Sequence, residues 1–233
     1  MVPASASDSP TTTEGTRLLT AALIIGLVVA GLALLLFSWL GREVMTGANP
    51  AVDERLRTAV HAQASPEVTR LMIAASLYGG PSFLVPLSLA LALGFLVHSW
   101  QRGALLVLVT VAGAGLLNSL LKQTFGRARP APYFDYPLPA SNSFPSGHAF
   151  FAASLIGGLT VLLSARVRSF PLRVVLWVVA LSLILLIGFS RVYLGVHYPS
   201  DVFAGYAVAV VWVAAVAVGD RLAGHRRRRR RST

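Results

Sequence analysis

The stretch LLTAALIIGLVVAGLALLLFSWL, Leu18 to Leu40, runs 23 residues without a charge between Arg17 and Arg42. A helix needs roughly 20 apolar residues to cross a bilayer. The apolar region of a secretory signal is only about 7–15 residues and ends at a small-residue cleavage site, so this run is too long for one. It reads as a first membrane span. The composition agrees: of 233 residues, 55% are hydrophobic and 12% charged. An ordinary soluble domain carries roughly 25% charged residues. Too few charges remain to cover a soluble globule, which argues against a water-soluble enzyme. The same apolar excess excludes a disordered or collagen-like chain.

Outward from that span the chain changes character several times. Residues 1–16 (MVPASASDSPTTTEGT) lack apolar periodicity and are expected to form a disordered tail. Residues 17–70 hold the first span and a connection rich in both charge signs, including Asp53, Glu54, Arg55 and Arg57, suited to an interfacial segment with short helices. Gly79-Gly80-Pro81 interrupts the next apolar stretch, which places span two at about 82–97 and leaves 71–78 near the interface. Spans three to six are expected at about 103–121, 148–163, 174–189 and 202–218. The small residues Ala112 to Gly115 and Gly157-Gly158 read as close helix packing. The expected fold is all-α, a polytopic membrane protein of six transmembrane helices. Its membrane domain covers 71–221, and a basic tail covers 222–233.

The net charge of +11 could suggest nucleic acid, but six of those charges are one block, Arg226 to Arg231, leaving +5 without it. A terminal basic run beside an apolar segment marks a membrane flank. Six spans put both termini on one side. That side carries 12 Lys and Arg against 8 on the other, and 6 against 8 without the tail. The bias places both termini in the cytoplasm. Trp39 and Trp100 stand at span ends, as in an aromatic belt. With no cysteine, disulfides, thiolate nucleophiles and cysteine metal sites are excluded.

Three polar clusters remain, all at the non-cytoplasmic span ends. They are Lys122, Arg127, Arg129 and Pro130; then Pro145-Ser146-Gly147-His148; then Ser190-Arg191, His197 and Asp201. Lys122 is the only lysine in the chain. Several fixed cations together select a multiply charged anion, and Arg suits bidentate phosphate contact. Ser146 has the character of a helix N-cap. A helix starting there would aim the N–H groups of Gly147 and His148 outward, an anion site by geometry and dipole. Two His and one carboxylate beside such a site suggest phosphoryl transfer through an imidazole. Pro199 is expected at the first position of span six, with Asp201 in its first turn and His197 just before it. Arg127 reads as solvated or headgroup-facing. Ser190 serves equally as a helix-end cap or an anion ligand. Tyr133, Asp135 and Tyr136 either shape a loop over the site or are turn residues; His61 and His98 read as interfacial.

At these residues the chain resembles the type 2 phosphatidic acid phosphatase (PAP2) superfamily of membrane lipid phosphatases and vanadium haloperoxidases. The resemblance rests on Lys122, six residues, Arg129-Pro130; on PSGH at 145–148; and on Ser190-Arg191, five residues, His197, three residues, Asp201. It spans about 71–221 and implies a PAP2-type catalytic helical core. It implies that His197 is the nucleophile, that Asp201 orients it, and that His148 protonates the leaving group and then activates water. Lys122, Arg129, Arg191, Ser146 and Gly147 would hold the phosphate, with Ser190, Pro130 and Pro145 in support. It implies no metal and no cofactor, a lipid phosphate in the bilayer as substrate, and no nucleic acid. Candidate lipids are polyprenyl (undecaprenyl-type) diphosphate, phosphatidylglycerol phosphate and phosphatidic acid. The site is expected at the extracytoplasmic face of a bacterial plasma membrane. The cations are expected to lower the pKa of both imidazoles, Asp201 to raise that of His197, and a bound phosphate dianion to favour a protonated His148, which leads to an expected bell-shaped pH–rate profile. The rivals are a phosphotransferase of the same fold, a vanadate haloperoxidase, which the spans argue against, and a non-catalytic transporter or scaffold.

Overall fold

The computed structural model describes residues 10–47 and 50–229, with side chains described over 24–47 and 50–224. Among the described residues there are eight α-helices and no strand: α1 Pro10–Thr46, α2 Pro50–His61, α3 Pro66–Tyr78, α4 Pro81–Val97, α5 Gln101–Phe125, α6 Gly147–Ser164, α7 Phe170–Tyr193 and α8 Pro199–Arg229. The all-α polytopic expectation is met. Five helical stretches are long and apolar enough to cross a membrane: Ile24–Thr46, Gln101–Phe125, Gly147–Ser164, Phe170–Tyr193 and Pro199–Gly224. A sixth arises if α3 and α4, bent by 50° at their short break, are taken as one span.

The tail expected over 1–16 differs in part. Residues 1–9 lie outside the described residues, whereas helix α1 already begins at Pro10. The backbone of α8 runs on to Arg229, while the side chains of the arginine block lie outside the described residues. Polar sequence next to a long apolar helix can continue it, because propagation adds one hydrogen bond per residue without a new nucleus.

The break at Gly79-Gly80-Pro81 follows from local chemistry. Proline lacks an N–H and fits the first turn of a helix, so α4 starts at Pro81. Ser65 caps α3 by accepting the N–H of Val68 at 3.3 Å.

Helix α6 is central, packed against α5, α7 and α8, while α1 runs along α8 and α3 along α7. The main core is formed by Leu84, Val107, Val111, Phe150, Leu155 and Ile187 with their neighbours. The outer faces are inverted relative to a soluble protein: Leu35 on α1 is 67% exposed and Val178 on α7 59%. Such faces suit hydrocarbon rather than water. Of the expected packing glycines, Gly113 lies against the indole of Trp212, whose Nε1 donates to the carbonyl of Thr110 at 2.8 Å. Gly157 faces open space instead.

One close approach sets the relation of α6 to α8. A Cβ on Gly205 would lie 2.7 Å from the carbonyl oxygen of Ser146 and 3.0 Å from Cβ of Ala149. Neither neighbour can swing away, so the two helices would have to separate. Gly205→Val is therefore expected to destabilise the protein by about 1–3 kcal/mol. Thermal unfolding in detergent, compared with Gly219→Val at a glycine with nothing within 4 Å, checks this; equal midpoints for the two variants would contradict it.

Candidate active site

Three segments distant in sequence meet at one end of the bundle. Lys122 stands in the last turn of α5, which ends at Gly126 with φ 59°, a left-handed cap whose N–H donates to the carbonyl of Lys122 at 3.1 Å. Glycine takes that conformation without a Cβ penalty. Helix α6 opens at Gly147. Arg191 lies in the last turn of α7, and Pro199 opens α8 with Asp201 in its first turn, as expected. Backbone bonds tie the segments together: Ser146 N–H to Asp201 O at 2.9 Å, Ser143 N–H to Arg127 O at 2.8 Å, and Tyr133 N–H to Leu194 O at 2.9 Å.

The turn between α7 and α8 brings His197 and Asp201 into contact. Nδ1 of His197 lies 3.2 Å from Oδ2 of Asp201, and both residues are buried. The other ring nitrogen, Nε2, lies 3.0 Å from Nη1 of Arg129. A guanidinium only donates, so Nε2 must accept there. The proton of the neutral ring is then on Nδ1, facing the carboxylate, and the lone pair is on Nε2, facing the cations. Burial first of all, with Arg129 and Arg191 adding to it against the pull of Asp201, pushes the His197 imidazole down to about 3. The ring is neutral at physiological pH.

The cations are held by the loop before α6. Lys122 Nζ donates to the carbonyl of Asn142. Arg129 donates to Ser141 O at 2.7 Å and to Val196 O at 2.8 Å. Burial and the neighbouring Arg191 lower its pKa to about 10, so it stays charged. Arg191, 1% exposed, donates to Ser76 Oγ on α3. Two polar atoms of this group, Ser146 Oγ and Arg191 Nε, are buried without a hydrogen-bond partner. Ser146 does stand at the N-cap of α6, yet its hydroxyl makes no capping bond. Gly147 and His148 are the first two helical residues, whose N–H groups have no intrahelical acceptor. His148 is within electrostatic reach of Arg191, His197, Arg129 and Lys122. A Cβ on Gly80 would lie 3.0 Å from its Nε2, so the break between α3 and α4 borders that imidazole. Ser190 Oγ is engaged by the carbonyl of Ile187 at 2.6 Å, the helix-end alternative of its two readings. Pro130 and Pro145 are buried beside these groups.

Arg127 corrects its reading. It is not solvated: its side chain is 15% exposed and bridges Asp53 and Asp201, at 2.7 Å to each. Burial works against its charge, but the two carboxylates outweigh this and raise its pKa. Ser143, donating to Asp201 Oδ2 at 2.5 Å, was not singled out from the sequence either. The ring of His61 stacks on Tyr133 at 3.7 Å between centroids. Tyr133 thereby belongs to a packed loop over this end of the molecule, with Cζ of Arg57 4.6 Å from its ring centroid. Tyr136 shares Ser76 Oγ with Arg191, at 3.0 Å from its own hydroxyl.

A family model described as the PAP2 superfamily matches residues 103–222, which include all three clusters. The chain belongs to the PAP2 superfamily. It is 31% identical over 183 residues to phosphatidylglycerophosphatase B of Bacillus subtilis (strain 168), covering 76% of this chain and 87% of that protein. It is 28% identical over 153 residues to an undecaprenyl-diphosphatase of Sulfolobus acidocaldarius, covering 64% of this chain and 68% of that one. The crystal structure of a transmembrane PAP2-type phosphatidylglycerolphosphate phosphatase from Bacillus subtilis matches with a TM-score of 0.73 at 29% identity, over 82% of this chain and 96% of that chain. The protein is thus an integral-membrane phosphatase of the PAP2 family.

The buried imidazole makes stability depend on pH. Folded, His197 takes up a proton only near pH 3, whereas an unfolded imidazole does so near 6.5. The unfolded chain binds more protons between those values, so stability falls as pH is lowered through that window. The unfolding midpoint in detergent is expected to drop between pH 7 and pH 4.5, and by less in His197→Asn. Equal drops in both proteins would remove His197 as the source.

Proposed function

We propose that this PAP2 phosphatase hydrolyses a lipid phosphate through a phosphohistidine on His197. One observation carries the reading: the lone pair of His197 is fixed on Nε2 by Arg129 on that side and Asp201 on the other, at 3.0 and 3.2 Å. The nucleophile is thereby oriented before substrate arrives, which removes an entropic part of the barrier. Lys122, Arg129 and Arg191, the hydroxyl of Ser146 and the N–H groups opening α6 would bind the phosphate oxygens. The partnerless Ser146 Oγ and Arg191 Nε support this, since each is a buried donor without an acceptor.

In the first step Nε2 attacks phosphorus, the bond from phosphorus to the lipid-side oxygen breaks, and protonated His148 gives its proton to that oxygen. Asp201 stabilises the positive charge arising on the His197 ring. In the second step water attacks the phosphoryl group while His148 takes its proton, and the P–N bond breaks to release phosphate. For a diphosphate lipid the leaving group is the lipid monophosphate. No metal takes part in either step.

The catalytic unit covers about 71–221. The excess of Lys and Arg on the terminal side, 12 against 8, supports cytoplasmic termini and a site at the extracytoplasmic face of a bacterial plasma membrane. The names of the relatives support phosphatidylglycerol phosphate and undecaprenyl diphosphate as first candidate substrates, with phosphatidic acid after them.

The test is phosphate release from a panel of these lipids in detergent with EDTA present. We expect turnover of at least one lipid without metal and a loss of about 10³-fold or more in His197→Ala. Parental rates in that variant, or strict metal dependence, would overturn the mechanism. Labelled phosphate passing to a lipid or sugar acceptor rather than to water would identify a phosphotransferase instead. The pH–rate profile is expected to be bell-shaped. Its acid limb on the His197 side lies well below pH 6.5, because the ring stays neutral down to about 3, and its alkaline limb reports loss of the His148 proton.

A further inference from the structure

We infer that Arg127 and Asp53 form a positioning pair that locks the Asp201 carboxylate, and through it His197, in its reactive orientation. This rests on the assignment of His197 as the nucleophile.

The two oxygens of Asp201 have different partners. Oδ2 takes His197 Nδ1 at 3.2 Å, Ser143 Oγ at 2.5 Å and the N–H of Tyr198 at 2.9 Å. Oδ1 takes Nη1 of Arg127 at 2.7 Å. A carboxylate held on one oxygen only can rotate about its Cβ–Cγ bond, and this rotation would carry Oδ2 away from the imidazole. Arg127 blocks it from the far side. Arg127 is in turn fixed in three ways. Nη2 binds Asp53 Oδ2 at 2.7 Å, Nη1 also reaches Ser200 Oγ at 2.8 Å, and the guanidinium lies over the Tyr198 ring at 4.1 Å.

Asp53 does more than neutralise Arg127. It accepts the N–H of Ser200 at 3.0 Å and its hydroxyl at 2.5 Å, so a carboxylate of α2 anchors the first turn of α8, where Asp201 lies. The side chains of Arg127, Asp53 and Asp201 are 15%, 10% and 0% exposed, respectively. Charges this dry hold their geometry, because breaking one contact leaves an uncompensated buried charge. Arginine is needed for this bridge. Its planar fork reaches two carboxylates at once, whereas lysine is a single flexible point charge. Asp53 lies outside residues 103–222, the part matched by the family model. The connection before the matched unit thus contributes a residue that acts on the site without touching substrate.

The experiment compares kcat and KM for Arg127→Met, Arg127→Lys, Asp53→Asn and the double variant Asp53→Asn/Arg127→Met, below the unfolding temperature of every variant. Misplacing a reacting group by about 1 Å costs roughly 10²-fold in rate. We expect Arg127→Met to lose about 10²-fold in kcat with KM within about threefold, because Arg127 is not among the phosphate ligands. Arg127→Lys should recover part of that loss. Asp53→Asn, nearly isosteric, should lose about tenfold. The double variant should be slower than Arg127→Met by clearly less than the tenfold of Asp53→Asn alone, since the two changes share the Arg127–Asp53 contact. Parental kcat in Arg127→Met, a loss expressed in KM, or additive losses in the double variant would each overturn the inference. His197→Ala separates the two levels of the argument. If it is inactive while Arg127→Met keeps the parental kcat, the positioning pair is wrong and the nucleophile stands; if it is active, the nucleophile itself is wrong.

Discussion

Asp201 is the residue on which this end of the molecule closes. Its side chain binds His197, Ser143, Arg127 and the N–H of Tyr198, and its carbonyl accepts the N–H of Ser146. These contacts come from the loop after α5, the start of α6 and the turn before α8, which are the three parts of the family signature. Two buried carboxylates, Asp201 and Asp53, among Lys122, Arg127, Arg129 and Arg191 leave positive charge in excess. In a low dielectric such an excess is costly unless an anion completes it. The arrangement is therefore suited to an anion rather than to self-sufficient stability.

A membrane protein can build such a site only where helices end. Within the hydrocarbon, backbone groups must be satisfied inside each helix, so free N–H groups occur at helix starts near the interface. Helix α6 starts at Gly147 and presents its first N–H groups there. The interruption at Gly79-Gly80 serves the same end from the other side. It leaves Ser76 O and Ser76 Oγ at the end of α3, the latter binding Arg191, and leaves room beside His148 that a side chain at Gly80 would fill. At the opposite end of the bundle the polar groups do a simpler job: Arg102 pairs with Asp220 and Arg166 lies over Trp100 at 3.4 Å, which ties the helix ends there together.

Much of this was legible in the sequence, and the parts that were not have a common cause. Apolar runs of span length, the proline at the head of α8 and the spacing from His197 to Asp201 are local signals, read within a few residues. The signature residues Lys122, Arg129, Ser146, His148 and Arg191 were found by their spacing, and the structure brings them to one end. Arg127 was misread because nothing beside it in sequence shows its partners: Asp53 and Asp201 are each 74 residues away. Ser143 and Ser76 were not singled out either. Their roles depend on which helix ends meet, and periodicity does not encode that. The start of α1 at Pro10 departs from the expected tail for another reason, since helix propagation carries polar residues along with an apolar neighbour.

Arg127 and Arg129 show how the same residue type, two positions apart, comes to do different work. Both emerge from the left-handed cap at Gly126, which turns the chain out of the axis of α5. Arg129 reaches back to His197 Nε2 and the carbonyls of Ser141 and Val196, neutral acceptors that leave its charge uncompensated. Arg127 reaches two carboxylates, so its charge is fully compensated. The compensated arginine cannot attract a substrate anion strongly, whereas the uncompensated one can. Partner identity, not residue identity, thus divides the cations of this loop between one that holds the protein's own carboxylates and one whose charge stays open to an anion.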